Sequence, residues 1–354
     1  MANIDNIALY PGSDSESGQE SEWVFGREFL DVVKATLKLP LNPTQKSAKV
    51  ASDIRRLVAG ASREKIGDAI FSTWSVLCNI VSQIPHDSQL QDILADAVGI
   101  LKSEGGRVWT SSDGNDPFKA TWDELPDLAM FIHETHLSKS IPSPYDKEPF
   151  QDRRNWCAFL ARLEARGLSA DVLTVWEFAE VLEGGTKHEG QRTQHLKGPA
   201  MHVGLCIVRD RIVIAGQQLF DHLRDVAAKQ DITKETLLSY EPGVMCDSQE
   251  VSGWGLSRWR FWTQMLRRIH DELLGELGLV GDEVVPIINE TLSRMEALER
   301  GAGPIEGDNW PKLLHLNNDG EGKQQNGKNV RFVEETHADK KAVSGSWSFS
   351  CVVS

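Results

Sequence analysis

Met201, Leu205, Val208, Ile212, Ala215, Leu219 and Leu223 follow one another at intervals of four, three, four, three, four and four residues. This spacing holds a single apolar stripe on one face of a helix for six turns. A stripe of that length must be covered by other helices, and the chain supplies them. Ile70, Trp74, Leu77, Val81 and Ile84 repeat the period, as do Leu90, Leu94, Ala97 and Leu101. Further stripes follow in Leu128, Phe131 and Ile132; in Trp156, Phe159, Leu160 and Leu163; and in Val172, Trp176, Ala179 and Leu182. Trp259, Trp262, Leu266, Ile269 and Leu273 mark another, and Ile288, Leu292, Met295 and Leu298 the last. No comparable run has the period of two that a strand requires. The pattern predicts an all-α protein, a single array or bundle of about ten helices.

Turn chemistry marks some of the helix starts. Asn42-Pro43 reads as an N-cap with proline at the first helical position, opening a helix to about Ala59. Ser62 opens the next, and Thr121 with Glu124 has the spacing of a capping box. Residues 1–22 are rich in Ser, Gly, Asp and Glu and are expected to form a disordered acidic head. Residues 23–300 form the helical domain. Residues 301–354, rich in Gly, Asn and charge, are expected as a flexible tail, with Trp310–Leu316 as a docking segment within it.

The net charge of −14 opposes binding to a phosphate backbone, so no nucleic-acid partner is expected. The most apolar stretch, Gly204 to Phe220, is broken by Arg209-Asp210-Arg211, and no transmembrane helix is expected. The N-terminus has neither a basic nor an apolar leader segment. The five cysteines (Cys78, Cys157, Cys206, Cys246 and Cys351) are odd in number and form no CxxC pair, which fits a reducing, cytoplasmic compartment.

Candidate chemistry is sparse. His133-Glu134-Thr135-His136 places its histidines three apart, whereas the zinc-protease motif needs four. No metal and no cofactor are expected. Arg258-Trp259-Arg260-Phe261-Trp262 interleaves cations with aromatic rings. Arg258, Trp259 and Trp262 are therefore the candidate lining of a ligand pocket, while their spacing also suits plain core packing. Arg209-Asp210-Arg211 and Asp152-Arg153-Arg154 fall between stripe positions, predicting a solvated face for both and a helix start at the second. Cys78 and Cys157 lie in apolar stripes, where an inert thiol is the default. Phosphate-loop, dinucleotide and nucleophile-elbow signatures are missing, and this weighs against an enzyme.

The chain ends in Cys351-Val352-Val353-Ser354, a full C-a-a-X pattern of the type read as farnesylated. A prenyltransferase would then be one partner. One prenyl chain alone gives marginal, reversible attachment. The neighbouring basic pair Lys340-Lys341 is short and opposed by Glu334, Glu335 and Asp339. The expectation is weak, peripheral association with endomembranes.

TWDELPDLAMF (Thr121–Phe131), NWCAFLARLEARG (Asn155–Gly167), VWEFAEVLEG (Val175–Gly184) and PGVMCDSQEVSGWGLSRWRFWTQML (Pro242–Leu266) together resemble the fungal family catalogued as domain of unknown function 3632. The resemblance covers approximately Phe25 to Leu298. It departs at Val244-Met245-Cys246, where a tryptophan-containing run is expected. It implies a helical fold and a fungal source, and it carries no catalytic residues. The expected function is a non-catalytic accessory protein that binds a protein partner or a small molecule. The alternative is an accessory enzyme or protein of a secondary-metabolite cluster, with Arg258, Trp259 and Trp262 lining its pocket.

Overall fold

The computed structural model describes residues 4–9, 20–108, 120–138, 148–168, 172–184, 196–228, 242–243, 245–246 and 255–301. These belong to one compact unit, Met1–Asp308. Among the described residues there are ten α-helices and no strand, and the one β-type pairing is the bridge between Arg107 and Thr121. The helices are α1 (Glu20–Lys38), α2 (Pro43–Ala59), α3 (Ile66–Gln83), α4 (Gln89–Glu104), α5 (Leu128–Ser138), α6 (Glu148–Glu164), α7 (Val172–Leu182), α8 (Gly198–Ala228), α9 (Leu256–Arg268) and α10 (Gly281–Gly301). A π-turn, Ile269–Leu273, prolongs α9.

The start of α2 follows from its cap. Asn42 Oδ1 accepts from the Gln45 N–H at 2.9 Å, and the Gln45 side chain takes the Asn42 N–H at 3.2 Å. Ser62 precedes a short 3-10 turn, Arg63–Lys65, before α3 begins. The box at Thr121 does not form. Its side chain makes no cap, and Trp122–Glu124 is a 3-10 turn followed by Leu125 and Asp127 at φ 46° and 62°. Pro126 is the reason: it lacks an N–H and drives the residue before it out of the helical region, so α5 cannot start until Leu128. Trp74 locks the turn, donating from Nε1 to the Pro126 carbonyl at 2.8 Å and meeting Trp122 edge-on at 6.5 Å.

The buried apolar side chains divide into two clusters. The first joins α1 to α6 around Phe29, Ile54, Ile70, Trp74, Leu94 and Phe159. The second joins α7 to α10 around Phe178, Leu205, Phe220, Trp259, Trp262 and Ile288. Helix α8 packs against both α6 and α10. At Gly204, α8 comes so near α7 that an added Cβ would lie 2.8 Å from Val181 Cγ2, a separation only glycine permits.

The expectation of disorder does not extend to residues 4–9. Ile4–Asn6 form a 3-10 turn, and Ile7 is buried in the first cluster with Ile4 and Leu9 packed beside it. The acidic average of the head hid this short apolar run. Residues 10–19 and 302–354, including the Trp310–Leu316 segment and Cys351, lie outside the described residues.

Candidate functional site

The candidate pocket residues sit in the second cluster, and a carboxylate that the motif did not suggest organises them. Helix α7 carries Glu177 and Glu180, and Glu183 follows one residue past its end, where Gly184 turns the chain at φ 75°. Glu183 and Arg258 both have 0% side-chain exposure. Arg258 Nε reaches Glu183 Oε1 at 2.7 Å and Arg258 Nη2 reaches Oε2 at 2.9 Å, a two-pronged pair. Trp262 Nε1 donates to Oε1 at 2.6 Å and the Gly243 N–H to Oε2 at 2.6 Å. The Glu183 carbonyl also accepts from the Met245 N–H at 2.8 Å. Four N–H donors thus surround one buried carboxylate, and they come from α9 and from the segment at residues 242–246.

The rings complete this knot. Trp262 lies 4.6 Å from Phe178, Trp259 meets Phe220 edge-on at 5.0 Å, and the Arg258 guanidinium stands 5.7 Å from the Trp262 ring centre. Arg258, Trp259 and Trp262 are therefore brought together, and all three are wholly buried. Among the described residues, the Trp259 Nε1 is a buried donor with no hydrogen-bond partner. Cys246 is buried beside Glu183, and burial first and the carboxylate second push its thiol pKa upward.

A second set of charges lies where α6, α7 and α8 meet. Arg211, 2% exposed, binds Glu177 through Nε at 2.7 Å and Nη2 at 3.0 Å, and Glu164 through Nη1 at 3.2 Å. Thr174 donates to the same Glu164 oxygen at 2.5 Å. Arg153 Nη2 binds Glu180 at 2.7 Å, and Arg154 Nε binds Asp210 at 2.7 Å. Asp210 also accepts from Arg209, which reaches Glu290 on α10 at 2.8 Å. The solvated face expected for Arg209-Asp210-Arg211 is thus corrected: Asp210 and Arg211 are buried. Helix α8 has neighbours on more than one side, so positions off its main stripe are covered too. Asp152-Arg153-Arg154 lies within α6 rather than at its start, with Arg153 buried.

Cys157 and His136 flank Glu177, and their chemistry runs opposite to that of a catalytic dyad. Burial, and then the Glu177 charge, hold the Cys157 thiol well above its ordinary value. His136, with its side chain 10% exposed, stands 3.6 Å from Glu177. Its burial outweighs the attraction of that carboxylate and takes its pKa down to about 4. Burial pushes Glu177 upward, yet the Arg211 guanidinium outweighs it and leaves the carboxyl below its usual range. The thiol stays protonated and the imidazole neutral, so neither nucleophile nor acid is poised near neutral pH. His133 is exposed and packs edge-on against Trp176 at 5.5 Å. Among the described residues no group of three or more His, Cys, Asp or Glu side chains could hold a metal ion.

A surface cleft of about 330 Å³ runs between α8 and α10, lined by Ile212, Val213, Gly216, Gln217, Arg294 and Leu298 among others. Arg294 is its one ionisable lining group, and the aromatic-arginine knot lies elsewhere. No helix among the described residues is long and apolar enough to cross a membrane.

Sequence reasoning flagged Arg258 through its aromatic neighbours and missed its partner. The signal was present: Glu177, Glu180 and Glu183 recur every three residues along an otherwise apolar helix and just past its end. Carboxylates so placed must find cations inside the fold, since an unpaired buried charge is costly.

The fold and this interior define an all-helical protein with two apolar clusters and paired charges buried within them. The chain belongs to the family described as Protein of unknown function (DUF3632), whose model matches residues 74–266. That match holds both charge networks apart from Glu290, and leaves out α1, α2 and α10. No curated protein and no solved structure matches the chain.

Proposed function

We propose that this is a non-catalytic fungal accessory protein, a helical binding module carried to endomembranes by a farnesyl group on Cys351. The observation that carries the non-catalytic half is the state of the interior charges. Glu183 holds four N–H donors, and Glu177 and Arg211 satisfy one another, so these groups serve architecture. The C-a-a-X ending supports the lipid half. A single prenyl chain gives weak, reversible attachment, with Trp347 and Phe349 beside it as residues that favour a membrane interface. The intact mass of the protein from a fungal host tests this. Wild type should carry one farnesyl thioether and lose the terminal tripeptide, whereas Cys351→Ser should match its plain sequence. Equal masses, apart from the substitution itself, would remove the lipid from the reading.

The unsatisfied Trp259 Nε1 supports a second reading, an accessory role in secondary metabolism with a ligand held at Arg258, Trp259 and Trp262. Trp259→Phe keeps a ring and deletes the donor. Pure packing predicts the loss of a trimmed core ring, offset by about 1–3 kcal/mol from deleting a buried unsatisfied donor. A ligand that uses the N–H would instead lose affinity in this variant.

A further inference from the structure

Residues 4–9 are held largely by side chains of α1 and α3. They lie against the furrow between α1 and α3, and side chains grip their backbone. Lys34 Nζ donates to the carbonyls of Asp5 at 3.0 Å and Ile7 at 2.7 Å. The Gln83 amide takes Ala8 at both ends: Oε1 accepts its N–H at 3.0 Å and Nε2 donates to its carbonyl at 2.7 Å. Asn79 orients that amide, its Oδ1 accepting from Gln83 Nε2 at 2.6 Å. Two contacts read side chains. Ile7 fills the apolar floor, and the Asp5 carboxylate pairs with Lys38, whose hydrogen bond first and charge second lower the pKa of Asp5. Gly26 on α1 lets α3 come close, since an added Cβ would lie 3.3 Å from Val76 Cγ2, while Leu9 Cδ1, 3.8 Å away, would be in ordinary contact.

We propose that the α1–α3 furrow is a docking groove for a short peptide of a partner protein, one bearing a carboxylate two residues before a buried aliphatic side chain. Residues 4–9 occupy it as an in-cis ligand. A groove that binds main chain through Lys and Gln accepts many sequences, and the aliphatic floor and Lys38 then select among them. Two lysines facing the segment in a chain of net charge −14 supply the complement for an acidic peptide. Only ten residues, 10–19, separate the segment from α1, and so short a tether keeps the cis occupant at a local concentration on the order of millimolar. A partner must outcompete it, which makes the segment an inhibitor of the groove. This deepens the partner-binding reading and rests on it. The lipid on Cys351 is tested separately, so loss of the groove would leave that half standing.

The test uses the full chain and a fluorescein-labelled peptide of sequence ANIDNIALY, followed by anisotropy. Ile7→Asp should eject the cis segment, and the variant should bind the peptide at least about tenfold more tightly than wild type does. Adding Lys34→Met or Gln83→Leu to that variant should abolish the gain, as should Asp in place of Ile within the peptide. Absence of saturable binding to the folded variant, equal affinity for wild type, or indifference to the groove substitutions would each overturn the proposal. Should Ile7→Asp fail to fold, a wild-type chain cut at a protease site placed within residues 13–18 decides the matter. A released peptide that washes out and rebinds supports the groove. One that leaves only when the whole chain unfolds makes residues 4–9 part of the core and overturns it. A dimer in sedimentation that disappears when residues 1–9 are deleted would overturn a foreign partner in favour of a second copy.

Discussion

Glu183 and Lys34 each fasten a stretch of backbone that lies outside the α-helices, and they do it at opposite depths. Glu183 holds Gly243 and Met245 from inside the second cluster, in concert with Arg258 and Trp262. Lys34 holds Asp5 and Ile7 from the half-buried edge of α1. Depth sets the consequence. Removing one member of a wholly buried pair strands a charge where water cannot reach it, whereas a half-buried ammonium that loses its carbonyls regains solvent. The first tie is therefore bound to the stability of the whole fold, while the second can open by itself. The family match follows the same division, since residues 74–266 contain Glu183 and Arg258 but neither Lys34 nor residues 4–9.

The sharpest way to break this contrast is Glu183→Ala. It should cost about 3–5 kcal/mol in urea unfolding, because the buried Arg258 loses the carboxylate that neutralises it. The double variant Glu183→Leu with Arg258→Met should recover much of that loss. Recovery would show that the cost lies in the stranded charge.

The buried set at His136 gives the next largest effect, read through pH. Its folded pKa of about 4 lies below the ordinary imidazole value of 6.5, so the unfolded chain takes up the proton first. Stability present above pH 6.5 should fall as pH drops toward 4, by up to roughly 3 kcal/mol. Below the ordinary carboxyl value the depressed Glu177 adds a loss of the same sign, whereas the raised Glu180 opposes the histidine's loss above that value. His136→Gln should flatten the curve between pH 6.5 and 4 in thermal melts.

At the edge the effects shrink. Ile7→Ala should cost only about 1 kcal/mol, less than the 2–5 typical of a core isoleucine, because the segment can detach before the fold gives way. Amide exchange near α1 and α3 should rise while the global unfolding midpoint moves little. Asp5→Asn, at the exposed ion pair with Lys38, should leave the melting temperature unchanged. A large global shift in either variant would mean that the two ties are alike.

The helices were legible because periodic apolar side chains report their own burial: Ile70, Trp74, Leu77, Val81 and Ile84 all lie in the core as their spacing requires. Charge was not legible by the same rule. Sorting by polarity sends every arginine outward, and it misplaced Arg211 because the partners Glu177 and Glu164 stand on other helices, 34 and 47 residues away. Arg258 drew notice for its tryptophans, yet its carboxylate lies 75 residues earlier. Pro126 overrode the capping box at Thr121 through a local rule that was present in the sequence. Ile7 was masked by the acidic composition around it.

The cysteines carry a practical consequence. Cys78 lies in α3, Cys157 where α6 meets α7 and α8, Cys206 in α8, and Cys246 beside Glu183; all four are buried and unlinked. Burial pushes three of these thiols, Cys157, Cys206 and Cys246, above their ordinary range. A neutral alkylating reagent therefore finds them only when the surrounding structure opens. Timed labelling followed by peptide mapping would turn the four sulfur atoms into clocks, each ticking at the opening rate of its own neighbourhood. In this way the molecule can report where it comes apart first, with no engineered probe.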